Sequence, residues 1–519
     1  MATPTKDRDA AMDHLEFIDE KATNKHSNAQ VNGNINLLDD QGDVRRIPIP
    51  SSDPNDPLNM HKWRKLGVLI SCCWYSIFSL VLVGGAGPIL PFWIQEYASS
   101  GRDVTEIVKL TTYPSLVMAF GAFLILPLSI VFGRRPVLLG CCLLLLGSTI
   151  GAGLSQSYEA HMACRILQGV ATGAAESVLP LVITDVSFLD ERGLLFGFYW
   201  GTQSCVNAIF TITVSYLAAD LGWRWFYWLL TILVSLNFLL LFFCLPETRY
   251  ARSPMSIRGQ EWHTDEFGVT RVISSQQAQA QGRLTASTIP EISSDNVLGG
   301  QKKKRSYWQE LHPISSVAPN GFRIGFGVIV KMLSALSSPA VIWAIFATSI
   351  SLGVGISMSL TYGLILTENY TWSQSSVGLV NCGILPAALL AMFWAGWGGD
   401  KTNLWLAKRR NGVHHPEDTL VILICPTLVS GIGIVVYALA AARPEGYSSW
   451  GIIMGWTLLQ FGFIVCIITT THFAAEAYPS NPGPALVLVV GVKNIVSFGQ
   501  SVLESPSNAS PILPHWHND

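Results

Sequence analysis

Charged residues are scarce in this chain. Only 13% of its 519 residues are Asp, Glu, Lys or Arg, against about 25% in a soluble domain, and most of that charge lies in residues 1–65 and one central stretch. That composition argues against a water-soluble globule. The net charge of −2 implies no polyanion partner, and no block has the basic face that nucleic acid requires. No cleavable signal precedes the first apolar run, because residues 1–60 are polar and mixed in sign. The first membrane helix is therefore expected to act as its own insertion signal. Cysteine is not arranged for disulfides or metal: all ten lie inside or at the edge of apolar segments, as small buried hydrophobes. There is no Gly-x-x-x-x-Gly-Lys-Ser/Thr loop for ATP, and no His-Glu-x-x-His or Gly-x-Ser-x-Gly pattern. No enzyme activity and no cofactor are expected, and any work must draw on a gradient.

What the chain has is apolar length. Hydrophobic residues make up 50% of it, and runs of about 20 residues, enough to span a bilayer, follow one another. Six are expected near Leu66–Leu90, Tyr113–Phe132, Val137–Leu154, His161–Ile183, Leu194–Ala219 and Trp223–Leu245. Five more are expected near Pro339–Leu366, Ser375–Gly398, Thr419–Ala442, Trp450–His472 and Pro484–Ser501. The chain thus divides into a disordered cytoplasmic tail (1–65), a first six-helix bundle (66–245), a cytoplasmic linker (246–338), a second bundle (339–501) and a polar tail (502–519). Within the linker, Phe322–Leu336 suits a helix lying along the membrane surface, with Arg323 and Lys331 towards headgroups. Two bundles joined by a long polar linker suggest an all-α membrane protein with a central cavity between its halves.

Basic residues orient the spans. Lys62, Arg64, Lys65, Arg134, Arg135, Arg192, Lys401, Lys408, Arg409 and Arg410 fall in loops on one side, against Arg102, Lys109, Arg224 and Arg443 on the other. That bias puts the N-terminus inside. The sequon at Asn369 then falls outside; the one at Asn508 is outside with eleven spans and inside with twelve.

Two charges lie within the fourth span. A charge at bilayer depth costs roughly 2.5–3.5 kcal/mol, so Arg165 and Glu176 ask for a reason. Eleven residues is about three turns plus roughly 20°, which puts both side chains on nearly one face. That face is expected to look into a polar cavity. A carboxylate there has its affinity for protons raised by desolvation and is suited to bind and release one per cycle; binding of a cationic substrate is the alternative. For Arg165 the alternatives are a snorkelling interfacial residue or a structural pair with Glu176 or Asp185. Asn207, Tyr362, Asn381, Gln460, Lys493 and Asn494 are polar candidates to line the cavity, each also suited to plain helix-to-helix hydrogen bonds. Trp74, Trp200, Trp343 and Trp394 are candidates to stack on a substrate.

Three stretches carry a resemblance. Phe132-Gly133-Arg134-Arg135-Pro136 between spans two and three, Gly396-x-x-x-Asp400-Lys401 after span eight, and Arg165-x-x-Gln168-Gly169 in span four resemble motifs of the major facilitator superfamily. ESVLPLVITDVSFLDERG, GWRWFYW, RRNG with PED, and the DPNDPLN segment are similar to fungal members of its drug:proton antiporter branch. The resemblance implies a 6+6 two-bundle fold, here apparently lacking the last transmembrane helix. It also implies a monomeric, multi-pass cell-membrane transporter that exports a small organic molecule (drug, toxin or secondary metabolite) against protons. Uptake of an organic cation or nutrient, or a sensor that keeps the fold, are the alternatives. It assigns Arg165 and Gln168 to proton coupling, beside Glu176 as the titrating carboxylate read from its burial, and Gly133, Arg134, Arg135, Asp400 and Lys401 to a cytoplasmic gate. Ile130 stands where the first loop normally has an acid, and span five lacks the Gly-Pro pair usual in exporters.

Overall fold

The computed structural model describes residues 35–36, 53–250, 255–257, 260–264, 270–274, 306–310, 321–373, 376–410, 413–478 and 482–503. Its long helices are α1 (Lys62–Gly84), α2 (Val104–Phe132), α3 (Arg134–Leu154), α4 (Tyr158–Val186), α5 (Leu189–Leu221), α6 (Arg224–Cys244), α7 (Pro339–Glu368), α8 (Val377–Arg409), α9 (Pro416–Ala442), α10 (Trp450–Ala477) and α11 (Pro482–Leu503). The first ten are long and apolar enough to cross a membrane, and α11 is apolar over Gly483–Gly499. Large apolar side chains on their outer faces, such as Ile232, Ile350, Leu390 and Leu428, remain 62–66% exposed. Lipid tails accept such a surface and water does not.

Helices α1 to α6 pack as one bundle and α7 to α11 as a second. Two seams join them: α2 and α4 against α11, and α5 against α8 and α10. In the first bundle α2 and α4 approach closely through glycine. A Cβ at Gly121 would sit 2.6 Å from the Val170 carbonyl oxygen, and one at Gly169 or Gly173 would overlap the backbone of α2. On the second seam, Gly193, Gly197 and Gly201 of α5 form a stripe four residues apart that faces α8. A Cβ at Gly197 would lie 3.0 Å from the Gly396 Cα, and one at Gly201 3.0 Å from the Met392 Cβ. This stripe does the close-packing work that the missing Gly-Pro pair would suggest is absent.

The sequence expectations need several corrections. The first span ends at Gly84 rather than Leu90, because Gly84-Gly85 and Gly87-Pro88 interrupt it, and the chain restarts as the short helix Leu90–Ala98. The end of the expected disordered tail is folded. Asp53 accepts from the Asn55 amide at 2.9 Å and Asp56 from that of Leu58 at 3.0 Å, local turn bonds that Asp favours before proline, and Asp56, Pro57 and Leu58 are buried. Span eight is not one regular helix: a 3-10 stretch (Val377–Gly383) and a short α-helix are followed by a π-helical turn, Met392–Trp397, opposite the α5 glycines.

Short strands lie outside the spans. Within the linker region Met255–Ile257, Gln260–Thr264 and Thr270–Ser274 form an antiparallel sheet in chain order, and Ile35–Asn36 pairs with Val413–His414. The helix Gly321–Ala335 rests on the inner end of α2, with Val328, Met332 and Ala335 buried and Phe322 and Phe326 exposed at 91% and 61%. The Lys302–Arg305 cluster, the sequon at Asn508 and the segment expected to lack a last transmembrane helix all lie outside the described residues.

Candidate functional site

Glu176 sits near the middle of α4 and is 2% exposed. Pro180, one turn later, has no amide to give the Glu176 carbonyl, so the helix ladder is interrupted at this residue. Its carboxylate is held by the other bundle. Oε1 accepts from the Lys493 ammonium at 3.1 Å, and Oε2 accepts from the Asn494 amide. Both donors belong to α11 and are buried. Lys493 Nζ also lies 5.8 Å from the centroid of the Trp200 ring, while the neighbouring Tyr199 hydroxyl donates to the Ala175 carbonyl at 2.7 Å. Ser76 donates to Gln203 at 3.0 Å from α1 to α5. The centre of the molecule thus holds one carboxylate and one ammonium in contact across the bundle interface.

Arg165 is equally buried and held quite differently. Its Nε donates to the Leu110 carbonyl at 2.9 Å, Nη1 to the Leu82 carbonyl and to Gln168 Oε1 (3.1 Å), and Nη2 to the Val83 carbonyl at 3.2 Å. Each carbonyl has a reason to be available. Leu82 and Val83 lie in the last turn of α1, where helix carbonyls lack intrahelical partners, and the Leu110 carbonyl has lost its donor to Pro114. Arg165 is therefore a cationic cap for α1 and a patch for the proline break in α2. It also stands 5.7 Å from the centre of the Trp93 ring. Along the helix it is roughly 16 Å from Glu176, so the two charges of α4 do not meet.

At the ends of the helices that carry the Gly-Arg-Arg and Asp400-Lys401 motifs, the two related loops behave differently. Gly133 links α2 to α3 at φ +103°, a conformation that favours glycine. Glu247 caps α3, accepting from the backbone amides of Arg134 (3.0 Å) and Arg135 (3.3 Å). Arg135 in turn caps α6 through the Leu245 and Phe242 carbonyls at 2.9 and 2.8 Å. Arg134 pairs with Asp185 at 3.2 Å, which also accepts from Thr248. Every one of these contacts stays inside the first bundle. Ile130, in place of the usual acid, is buried in the core, and its carbonyl accepts from Arg249. In the second loop Asp400 reaches across, accepting from the Leu194 amide of α5 at 2.9 Å; a Cβ at Gly193 would displace the Asp400 carboxylate from this position. Lys401 is exposed.

The remaining candidates fall in two places. Asn381 accepts from Trp456 Nε1 at 3.2 Å, and Trp456 packs against the Tyr362 ring at 5.5 Å, making a cluster inside the second bundle. The Asn207 Oδ1 is buried without a hydrogen-bond donor among the described residues. Gln460 is half-buried on α10 and joins neither group. Trp74 and Trp394 donate to the Leu233 and Ile422 carbonyls, and Trp343 packs on Phe473. Asn369 is exposed just after α7.

Sequence reasoning missed an outer network. His161 bonds to the Tyr97 and Tyr227 hydroxyls at 3.0 and 2.8 Å and stacks on Trp223. Nearby, Glu96 on the Leu90–Ala98 helix accepts from Arg224 at 2.8 Å and from Trp223 Nε1 at 2.5 Å. Partial burial pushes the Glu96 carboxyl up, but the bonds from Arg224 and Trp223 outweigh it and hold it below its ordinary value. Burial, with the neighbouring Glu96 charge, pushes the Tyr97 hydroxyl up to about 12. Glu247 was missed as well; its signal is an acid beside proline where an apolar run ends.

Comparison with known proteins gives this arrangement a family. The sequence profile of the Major Facilitator Superfamily matches residues 72–499. The chain belongs to the major facilitator superfamily. Curated relatives include an uncharacterized MFS-type transporter of Schizosaccharomyces pombe, 25% identical over 88% of this chain and 81% of that protein. Another is the MFS-type transporter atr4 of Stereocaulon alpinum, 22% identical over 90% and 76%. In fold, the chain is similar to the proton:xylose symporter XylE, with a TM-score of 0.54 at 12% identity over 86% of this chain and 90% of that one. As a superfamily member this is a multi-pass membrane transporter of a small molecule, and not an enzyme.

Proposed function

We propose that the chain is a proton-coupled secondary transporter that moves a small organic molecule by alternating access, with Glu176 as the proton site. One observation carries the reading: the buried Glu176 carboxylate is bonded to Lys493 and Asn494 of the other bundle. A buried ion pair contributes little net stability, because its desolvation cost offsets its attraction, so its place at the interface suits work better than structure. Protonation removes the charge that holds Lys493, and the contact between bundles weakens. Arg165 and Gln168 keep the outer half of α4 fixed to α1 and α2, while Asp400 latches the inner face.

The resemblance to the fungal drug:proton antiporter branch supports export of a drug, toxin or secondary metabolite across the cell membrane by a monomer, and the sequon at Asn369 supports glycosylation there. Uptake is the second reading. The test is flux in proteoliposomes. Glu176→Gln, which keeps one acceptor for Lys493, is expected to abolish pH-gradient-driven flux while the protein stays folded in the membrane. Undiminished coupled flux in that variant removes Glu176 from the mechanism, and a wild type that moves no protons across a wide substrate panel favours the sensor.

A further inference from the structure

We infer that Lys493, Asn494 and Trp200 form the polar end of the substrate site, and that the substrate is an organic carboxylate with an apolar, ring-bearing body. The inference rests on the proton-coupled reading and names its substrate class.

Charge accounting carries the argument. At rest the site holds Glu176 and Lys493, so its net charge is zero. A proton on Glu176 leaves Lys493 as a buried cation without a counter-ion, and a carboxylate restores neutrality. A cationic substrate would instead bring a second positive charge beside Lys493. It would also have to displace two donors, since Lys493 and Asn494 already occupy both Glu176 oxygens. Few other groups intervene. On α1, Tyr75 donates to the Ala171 carbonyl, and Cys72 and Cys73 are buried. On α5, Tyr199 is engaged with the Ala175 carbonyl. Helix α2 has no charged residue between Lys109 and its end, and its Tyr113 packs on Phe498. Tyr362 of α7 packs on Trp456. On α10, His472 and Glu476 pair with each other at 3.2 Å.

The partners left open in the site point the same way. Trp200 is 2% exposed, lies beside Lys493, and its Nε1 donor has no acceptor among the described residues. Buried donors without acceptors are rare, and here the missing acceptor fits a carboxylate oxygen. Lys493 Nζ, Asn494 Nδ2 and Trp200 Nε1 supply three donors for an oxyanion, and the indole offers a face to a ring. Seven residues on, about 10 Å along α5, the open Asn207 Oδ1 would accept from a hydroxyl or amide on the substrate body. Proton and anion bind together in this scheme, which is the linkage of cotransport.

The experiment uses the full chain in detergent and in proteoliposomes, with benzoate and indole-3-acetate as probes against benzylamine and tryptamine. The carboxylates are expected to raise the thermal unfolding midpoint of the wild type, more at pH 5.5 than at pH 7.5, and the amines are not. Lys493→Gln is expected to weaken carboxylate binding on the order of tenfold or more, and Lys493→Arg to restore it. Glu176→Gln is expected to bind carboxylates without the pH dependence. Stabilisation by the amines alone, or by neither class, overturns the inference. Failure of the proton reading looks different: Glu176→Gln keeps coupled flux while carboxylates still bind through Lys493.

Discussion

Arg165 and Glu176 share one helix and one degree of burial, yet they are held in opposite ways. Arg165 is satisfied by backbone carbonyls and Gln168 of its own bundle, groups that move with it as a body. Glu176 is satisfied by side chains of the other bundle, which would part from it in the proposed alternating-access cycle. The two motif-bearing loops repeat the contrast. Arg134 and Arg135 are tied to Asp185, Glu247 and the end of α6 within one bundle, while Asp400 crosses to α5. On the proposed mechanism, a buried charge satisfied by its own bundle is scaffold, and one satisfied across the seam is available to the transport cycle.

This contrast is broken most directly at Arg165. Arg165→Met removes the cap of α1 and the patch over Pro114 together. Hydrogen bonds to a charged group are worth about 1.5–3 kcal/mol each, so the loss is expected to exceed about 3 kcal/mol and to appear as a collapse in folded yield from detergent extracts. Arg165→Lys, with one ammonium for three carbonyls, is expected to recover only part of it. If Arg165→Met folds normally but fails only in proton coupling, its scaffold role is wrong and it belongs with Glu176.

The α5 seam sharpens the same point from the packing side. Gly197→Leu puts a side chain where a Cβ alone already meets the Gly396 Cα at 3.0 Å and the Met392 carbonyl oxygen at 3.1 Å. Overpacking costs about 1–3 kcal/mol, and because the clash lies between bundles it is expected to depress transport more than the melting temperature. Equal loss of both would make the seam part of the scaffold.

A smaller effect separates the loops. Glu247→Ala uncaps α3 and is expected to cost about 1–2 kcal/mol of stability, in the range of lost N-terminal caps. Asp400→Ala is expected to cost less stability but to raise the labelling rate of a cysteine placed on the inner face, since the contact it removes closes that face. The reverse pattern would exchange the roles of the two loops.

Much of this was legible in the sequence. Hydropathy located the eleven long helices among the described residues, ten of them long and apolar enough to cross a membrane, and the cost of intramembrane charge singled out Arg165 and Glu176. Partners were harder to read. Lys493 and Asn494 are more than three hundred residues from Glu176, and on their own they look like any polar pair in a helix. The role of Arg165 depends on two distant carbonyl sources, the end of α1 and the break at Pro114, that only folding brings together. The glycine stripe of α5 carries no Gly-Pro pair, and glycines four residues apart reveal their close packing only against the α8 backbone they meet. The outer network was missed since Glu96 and His161 lie at the ends of apolar runs, where polar residues carry no penalty to draw notice.

That outer network yields the mildest prediction, and one with a sign. The Glu96 carboxyl is held below its ordinary value by Arg224 and Trp223, so it stabilises the folded state while ionised. The contribution is fully present above the unfolded carboxylate value of about 4.3 and is lost as pH falls through the lower folded value. Glu96 and Arg224 are each over a third exposed, and solvent screening keeps such pairs near 1 kcal/mol or less. Glu96→Gln is therefore expected to lower the melting temperature slightly at pH 7, and the difference from wild type is expected to shrink as pH falls below the ordinary carboxylate value and through the lower folded one. Because the pair lies wholly in the first bundle, flux at pH 7 is expected to be unchanged. A Glu96→Gln variant that transports poorly while melting like wild type would place the outer rim in the transport cycle, and would show that bonding within one bundle does not by itself make a charge scaffold.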